Sequence, residues 1–245
     1  ASPVPGPRRA LRQVTAVREG GRVSITLPPL TFAGDLDRTA LVPATRLLVD
    51  LVARPEVAAA WHDESSCAGM SVGALARHLV VQPLRVVEVL TGQPAAVDTE
   101  PLTVDQHYAQ AAWIQQDLDG PANVGVRTRS EDEATVGPEA VAAEAREILG
   151  RLDDVLASAP DVVVLPWTGA ALATDDFLVT RFMEIVVHSD DLASSVGLPT
   201  PDFDAATLVP VVRLLSDLAL RRHGQDALVR TLSRPQRAPG SIAAF

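Results

Sequence analysis

The stretch from Leu178 to Ala193, LVTRFMEIVVHSDDLA, constrains this chain more than any other. Read at about 100° per residue, Arg181, Glu184, His188 and Asp191 fall within one arc of about 80°. The rest of the segment is mostly Leu, Phe, Met, Ile, Val and Ala, interrupted only by Thr180, Ser189 and Asp190. A helix that is apolar almost all round is normally buried, so this one carries an ionisable stripe into an interior. Unpaired buried charge is costly, and the stripe therefore requires a compensating partner. Glu184 and His188, four residues apart, project from adjacent turns. A carboxylate and an imidazole placed that way can share one metal ion. The same residues are also explained without a metal, by a Glu184–His188 hydrogen bond or by an Arg181–Glu184 ion pair.

The remainder of the chain must supply that interior. It has 245 residues, 47% of them hydrophobic, which suffices for one good-sized domain or a domain with an appendage. Only 4% are aromatic, so the core is built from Ala, Val and Leu, which favours close-packed helices over a β-sandwich. The formal net charge is −10, with no Lys and no basic run. Such a surface argues against nucleic acid and anionic membranes as partners. The single cysteine, Cys67, excludes an intramolecular disulfide and a Cys-rich zinc site. The start ASPVPGPRRA lacks the apolar core of a signal peptide. No run approaches the roughly 20 apolar residues of a membrane span. A soluble, cytoplasmic protein is the expectation.

Taken in order, residues 1 to about 10 are Pro-rich and read as a flexible leader. Arg22 to Leu27 alternates with β-branched residues and is a candidate short strand, stopped by Pro28 and Pro29. From Asp35 a helical pattern (Leu41, Ala44, Leu47, Leu48, Leu51) runs to Trp61 with a break at Pro55. After the loop HDESSCAGM, Ser71 caps a helix that places Val72, Leu75, Leu79 and Val86 on one face. His78 and Gln82 flank that face, Arg77 points away from it, and Pro83 interrupts the hydrogen bonding. An isolated His at such a border is more often bonded in a core than to a metal; a buried Glu and His beside it reverse the preference. Thr103 and Gln106 form a capping box for a helix over Val104–Gln116, whose His107, Tyr108 and Trp113 either line a cavity or simply pack. Residues 117–136 read as polar and irregular, with VGVRTR a candidate extended piece. Pro138 opens a helix to Ala157, and DVVVLPW reads as a strand or a buried connection. Asp175 and Asp176 fall in the first turn of the helix described above, where negative charge is favourable. Gly197 ends that helix. A last helix covers Ala205 to His223, with Gly224 at its end, and a shorter one covers Asp226 to Leu232.

Three pieces resemble the mycothiol-dependent maleylpyruvate isomerase family, within the DinB-like metal-binding helical bundles. SSCAGMSVGALARHLV is similar to that family's Cys-Pro-Gly-Trp-Thr/Ser-Val loop leading into a Leu-x2-His helix. RFMEIVVHSDDLA is similar to its Arg-x2-Glu-x3-His-x2-Asp-Leu segment, and the stretch from RRHG to SIAAF looks like the tails of family members. Ala68 and Met70 depart from the pattern, standing where the family has Pro and Trp. The resemblance implies a mainly α fold: a DinB-like four-helix bundle with a long crossover, plus a small C-terminal helical appendage and minor short strands. The expected organisation is a leader over 1–34, the metal-binding bundle over 35–197 and the appendage over 198–245. It also implies that His78, Glu184 and His188 bind a divalent metal, commonly zinc. Asp191 takes an outer or substrate-facing role, with Arg181 and Asp191 as the candidate catalytic residues.

Three protein ligands leave a fourth tetrahedral position open, the pattern of catalytic zinc. A thiol bound there would be deprotonated and nucleophilic at neutral pH. The resemblance thus implies an isomerase or S-transferase that uses mycothiol or another low-molecular-weight thiol on a small electrophilic substrate, as a monomer or homodimer. Arg181 either pairs with Glu184 or receives an anionic substrate; Cys67 reads as loop packing. Two other readings stay open: a metal-activated water in a hydrolase or lyase, and a non-enzymatic bundle with a structural metal or none.

Overall fold

A computed structural model describes residues 16–19, 22–25, 27–93, 99–117 and 119–245. The fold is mainly helical, as expected from the small aliphatic residues that dominate its composition. Strands β1 (Ala16–Glu19) and β2 (Arg22–Ile25) pair antiparallel, Ala16 opposite Ile25. The candidate strand at Arg22 therefore has a partner within the stretch read as a leader. The Pro-rich residues 1–10 lie outside the described residues.

Helix α1 (Leu41–Val52) begins later than the periodicity suggests, because Asp37 caps a short 3-10 turn over Arg38–Ala40 ahead of it. A separate short helix, α2 (Pro55–Ala59), follows the break before Pro55. Helix α3 (Val72–Leu90) is capped by Ser71, whose Oγ accepts the Ala74 N–H at 3.0 Å. Its buried face carries Leu75, Ala76, Leu79, Val80, Val86 and Val87.

The long crossover to the next bundle helix holds three shorter helices, α4 (Val104–Ala109), α5 (Ala112–Gln115) and α6 (Pro121–Ala134). The capping box at Thr103 and Gln106 is present, but the helix it starts breaks at Gln110 instead of reaching Gln116. The larger correction is α6. Within the stretch read as irregular, residues 121–134, VGVRTR included, are helical, with Pro121 in the first turn. It has no apolar stripe and buries only Ser130 and Ala134. Polar contacts attach it to α3 instead: Glu131 accepts the Ser71 N–H and hydroxyl, and Glu133 pairs with Arg77 at 2.9 Å. Arg77 therefore turns towards α6 and α7 (Pro138–Ala157), where Glu144 is its second partner.

Strands β3 (Val162–Val164) and β4 (Ala171–Ala173) form a second antiparallel pair between α7 and α8 (Thr174–Ser195). Helices α1, α3, α7 and α8 make the four-helix bundle: α3 packs on α7 and α8, and α1 closes against the same two. Helix α9 (Ala205–Ser233) lies on α8 and is interrupted at Gly224, whose φ of 81° is left-handed. Among the described residues no helix is long and apolar enough to cross a membrane.

The aspartates at the start of α8 do more than complement its dipole. Asp175 accepts the Gly34 N–H at 2.7 Å and pairs with Arg38, while Asp176 accepts from the Phe32 N–H and the Thr31 hydroxyl. This ties the segment before α1 to the site-bearing helix.

Close packing imposes one strict demand at Gly73. A Cβ there would lie 2.6 Å from the Trp61 ring, whose indole N–H is bound to the Ala134 carbonyl at 3.2 Å. Gly73→Ala is expected to destabilise the protein by about 1–3 kcal/mol through overpacking, outweighing the ~1 kcal/mol by which Ala favours a helix interior. A urea titration reads it as a lower midpoint at unchanged slope; an unchanged or higher midpoint would show that the indole moves aside freely.

Candidate metal centre

Helix α3 and helix α8 supply the two sides of the site. His78, one turn before Pro83 on α3, faces the α8 stripe. Its ring centre is 4.8 Å from that of His188, with the two planes at 85°. Glu184 Oε2 lies 3.1 Å from His188 Nε2 and 3.8 Å from His78 Nε2. One donor atom from each of the three lies within 4.8 Å of the others. Donors on a tetrahedron around an ion held at about 2.0–2.2 Å are about 3.3–3.6 Å apart; the 3.1 and 3.8 Å separations here bracket that spacing, and two imidazoles with one carboxylate are a donor set suited to a divalent ion.

The electrostatics follow from burial and contact. Burial works against the Glu184 carboxylate, but hydrogen bonds from His188 and His78 and the charge of Arg181 outweigh it and hold its pKa well below the ordinary value. Burial likewise opposes the His188 cation, yet contacts with Asp191, Cys67 and Glu184 raise its pKa well above the ordinary imidazole value. Asp191 Oδ2 lies 3.0 Å from His188 Nδ1, on the ring edge opposite Glu184. Asp191 thus stands behind His188 and is not among the cavity-lining residues.

Arg181 reaches the site from one turn earlier. Its Nη2 is 3.9 Å from Glu184 Oε1, its Nε donates to Thr180 Oγ1 at 3.1 Å, and its Nη1 donates to Gln82 Oε1. Gln82, 2% exposed, also donates to the His78 carbonyl at 2.9 Å and lies 3.3 Å from His78 Nε2. Sequence reasoning did not select Gln82 as a site residue. Its signal was the four-residue spacing from His78, but the link to Arg181 crosses 99 residues of chain.

A cavity of about 550 Å³ opens beside His78 and Glu184, lined also by Gln82, Arg181, His107 and Trp113. Burial, then the nearby Arg181 charge, pull the His107 pKa down to about 4, so its ring is neutral at physiological pH. Tyr108 is buried beneath, its ring against Phe245 and Trp113 at 5.2 and 6.4 Å, and does not line the cavity. A second cavity, of about 240 Å³ between α1 and Asp202–Thr207, holds none of these groups. The other two histidines are elsewhere: His62 is exposed, and the His223 ring donates to the Ala243 carbonyl at 2.7 Å.

Residues 41–193 match the family model described as mycothiol maleylpyruvate isomerase N-terminal domain. The chain belongs to this family. The match runs from the first residue of α1 almost to the end of α8. It includes Cys67, His78, Arg181, Glu184, His188 and Asp191, and leaves α9 and the tail outside the family domain. No curated protein matches the chain, and no solved structure does.

Proposed function

We propose that this member of the mycothiol maleylpyruvate isomerase family is a cytoplasmic, metal-dependent enzyme of the isomerase or S-transferase type. In this reading His78, Glu184 and His188 hold one divalent ion, zinc, and the bundle over 35–197 is the catalytic unit with 198–245 as its appendage. The observation that carries it is the convergence of the three donors at the side of a large cavity, within the family-matched segment. Held by these three residues, a divalent ion would supply a Lewis acid able to lower the pKa of a thiol cosubstrate, mycothiol or another low-molecular-weight thiol, for use on a small electrophile.

The chain's own residues do the rest. Asp191 accepts the Nδ1 proton of His188 and fixes the tautomer that turns Nε2 inward. Gln82 links the His78 backbone to Arg181 and so keeps the two helices in register at the site. With Glu184 engaged, Arg181 is left facing the cavity as a cation for an anionic group of the substrate. Neutral His107 provides a hydrogen-bonding edge on the cavity wall.

A metal-free reading has one specific observation in its favour: His188 lies between two carboxylates, 3.1 and 3.0 Å away, as a charged imidazolium would. Metal analysis separates the two, since the metal reading requires one ion per chain in the purified protein. For the thiol, cobalt(II) replaces the silent zinc and the protein is titrated with mycothiol and other small thiols. A near-ultraviolet sulfur-to-metal band that grows to saturation with thiol is the expected result. Cobalt-loaded protein that shows no band with any biological thiol would exclude thiol transfer and favour metal-activated water.

A further inference from the structure

The loop between α2 and α3 is fastened to the last turns of α8. Ser66 N–H donates to Ser195 Oγ at 2.9 Å, and the Ser66 hydroxyl donates to the Asp191 carbonyl at 2.8 Å. The loop folds back on itself through Met70 N–H to the Cys67 carbonyl at 3.0 Å and through Gly69 at φ 79°. Docked this way, it aims the Cys67 thiol at Asp191. The sulfur is 3.4 Å from Oδ2, the same oxygen that lies 3.0 Å from His188 Nδ1. The far nitrogen of that ring is 3.1 Å from Glu184 Oε2. Four side chains therefore form a single file, thiol to carboxylate to imidazole to carboxylate, from the loop to the cavity edge.

From this file we infer that Cys67 is a positioning residue for the metal centre. Its S–H donates to the Asp191 oxygen that receives the His188 Nδ1 proton, holding that carboxylate in the rotamer that presents His188 Nε2 to the ion. The inference rests on the metal reading above. A carboxylate oxygen accepts more than one hydrogen bond, so the thiol adds to the His188 contact without displacing it. A thiol is a weak donor that leaves the negative charge on Asp191, where it raises the basicity of the ligating imidazole. Cys67 is itself close enough to His188 and Asp191 for the three to hold an ion. That set uses the opposite ring nitrogen of His188, has one imidazole where the other set has two, and lies away from the cavity.

The test is a double-mutant cycle on metal affinity, measured by chelator competition on the full chain with the thiol kept reduced. Cys67→Ala is expected to weaken binding about 2- to 5-fold, the low end of what an ordinary hydrogen bond is worth, as suits a weak thiol donor. Asp191→Asn is expected to weaken it about 10- to 100-fold. In the Asp191→Asn background the Cys67→Ala change should have a clearly smaller effect than in the wild type, because the thiol acts chiefly through that carboxylate. Unchanged affinity in Cys67→Ala overturns the inference and leaves the metal reading standing. Additive effects, or a loss matched by an equal loss of metal-free thermal stability, assign Cys67 to packing and also overturn it. A sulfur-to-cobalt band without added thiol would make Cys67 a ligand instead of a positioning residue. Wild-type protein that binds no metal removes the metal reading itself.

Discussion

His188→Ala is expected to weaken metal binding by roughly 10²- to 10³-fold while leaving a helical protein. Four-ligand zinc sites bind with about 10–16 kcal/mol, so one ligand carries about 2.5–4 kcal/mol, and each 1.4 kcal/mol is tenfold. The fold survives because the bundle core is aliphatic and His188 is only partly covered, with 21% of its side chain exposed. Chelator competition gives the affinity, and far-ultraviolet circular dichroism confirms the helix content. His62→Ala and His223→Ala are the controls, since neither ring is in the cluster. Equal losses in all three variants would mean that the wrong histidines have been chosen. Full retention in His188→Ala would leave the Glu184–His188–Asp191 row as an ion-pair network.

Phe182→Ala is expected to produce the largest loss of stability from a single change near the site, about 3–5 kcal/mol. The ring is fully buried between Arg181 and Met183 in the sequence of α8, on the core side of the helix whose other side carries the stripe. Truncation leaves a cavity in an interior with few other aromatic rings to shift into it. For a chain of this size the melting temperature should fall by roughly 6–20 °C. Calorimetry checks it, and a drop of less than about 2 °C would show that neighbouring aliphatic side chains collapse into the space.

The parts of the fold that were legible in the sequence are those set by short-range physics. The Ser71 cap, the Thr103–Gln106 capping box, Pro138 in a first turn and the left-handed Gly224 are each decided by residues a few positions apart, and each appears in the structure. Helix α7 carries its apolar row, Val141, Ala145, Ile148, Leu152 and Leu156, as the 3.6-residue spacing requires. The α8 stripe was legible for the same reason: four polar residues in one arc of an apolar helix identify themselves without any partner in view.

What failed to show was whatever depends on a distant partner. Helix α6 has no periodic apolar row to betray it; its carboxylates meet Ser71 and Arg77 on α3, about 60 positions earlier in the chain. Strands β1 and β4 are short and were not legible by themselves; each exists by pairing with β2 or β3, the two segments that the sequence did offer as strands. The same holds within the site. Sequence alone determined that Glu184 and His188 share a helix face and that an ionisable row enters an interior, because one helix's geometry fixes both. Only the tertiary structure decided that His78 meets them, that Gln82 joins Arg181 to His78's helix, and that Cys67 reaches Asp191. Those contacts span about 100 residues or more, and they follow from how α3, α8 and a docked loop pack together, which no local spacing encodes.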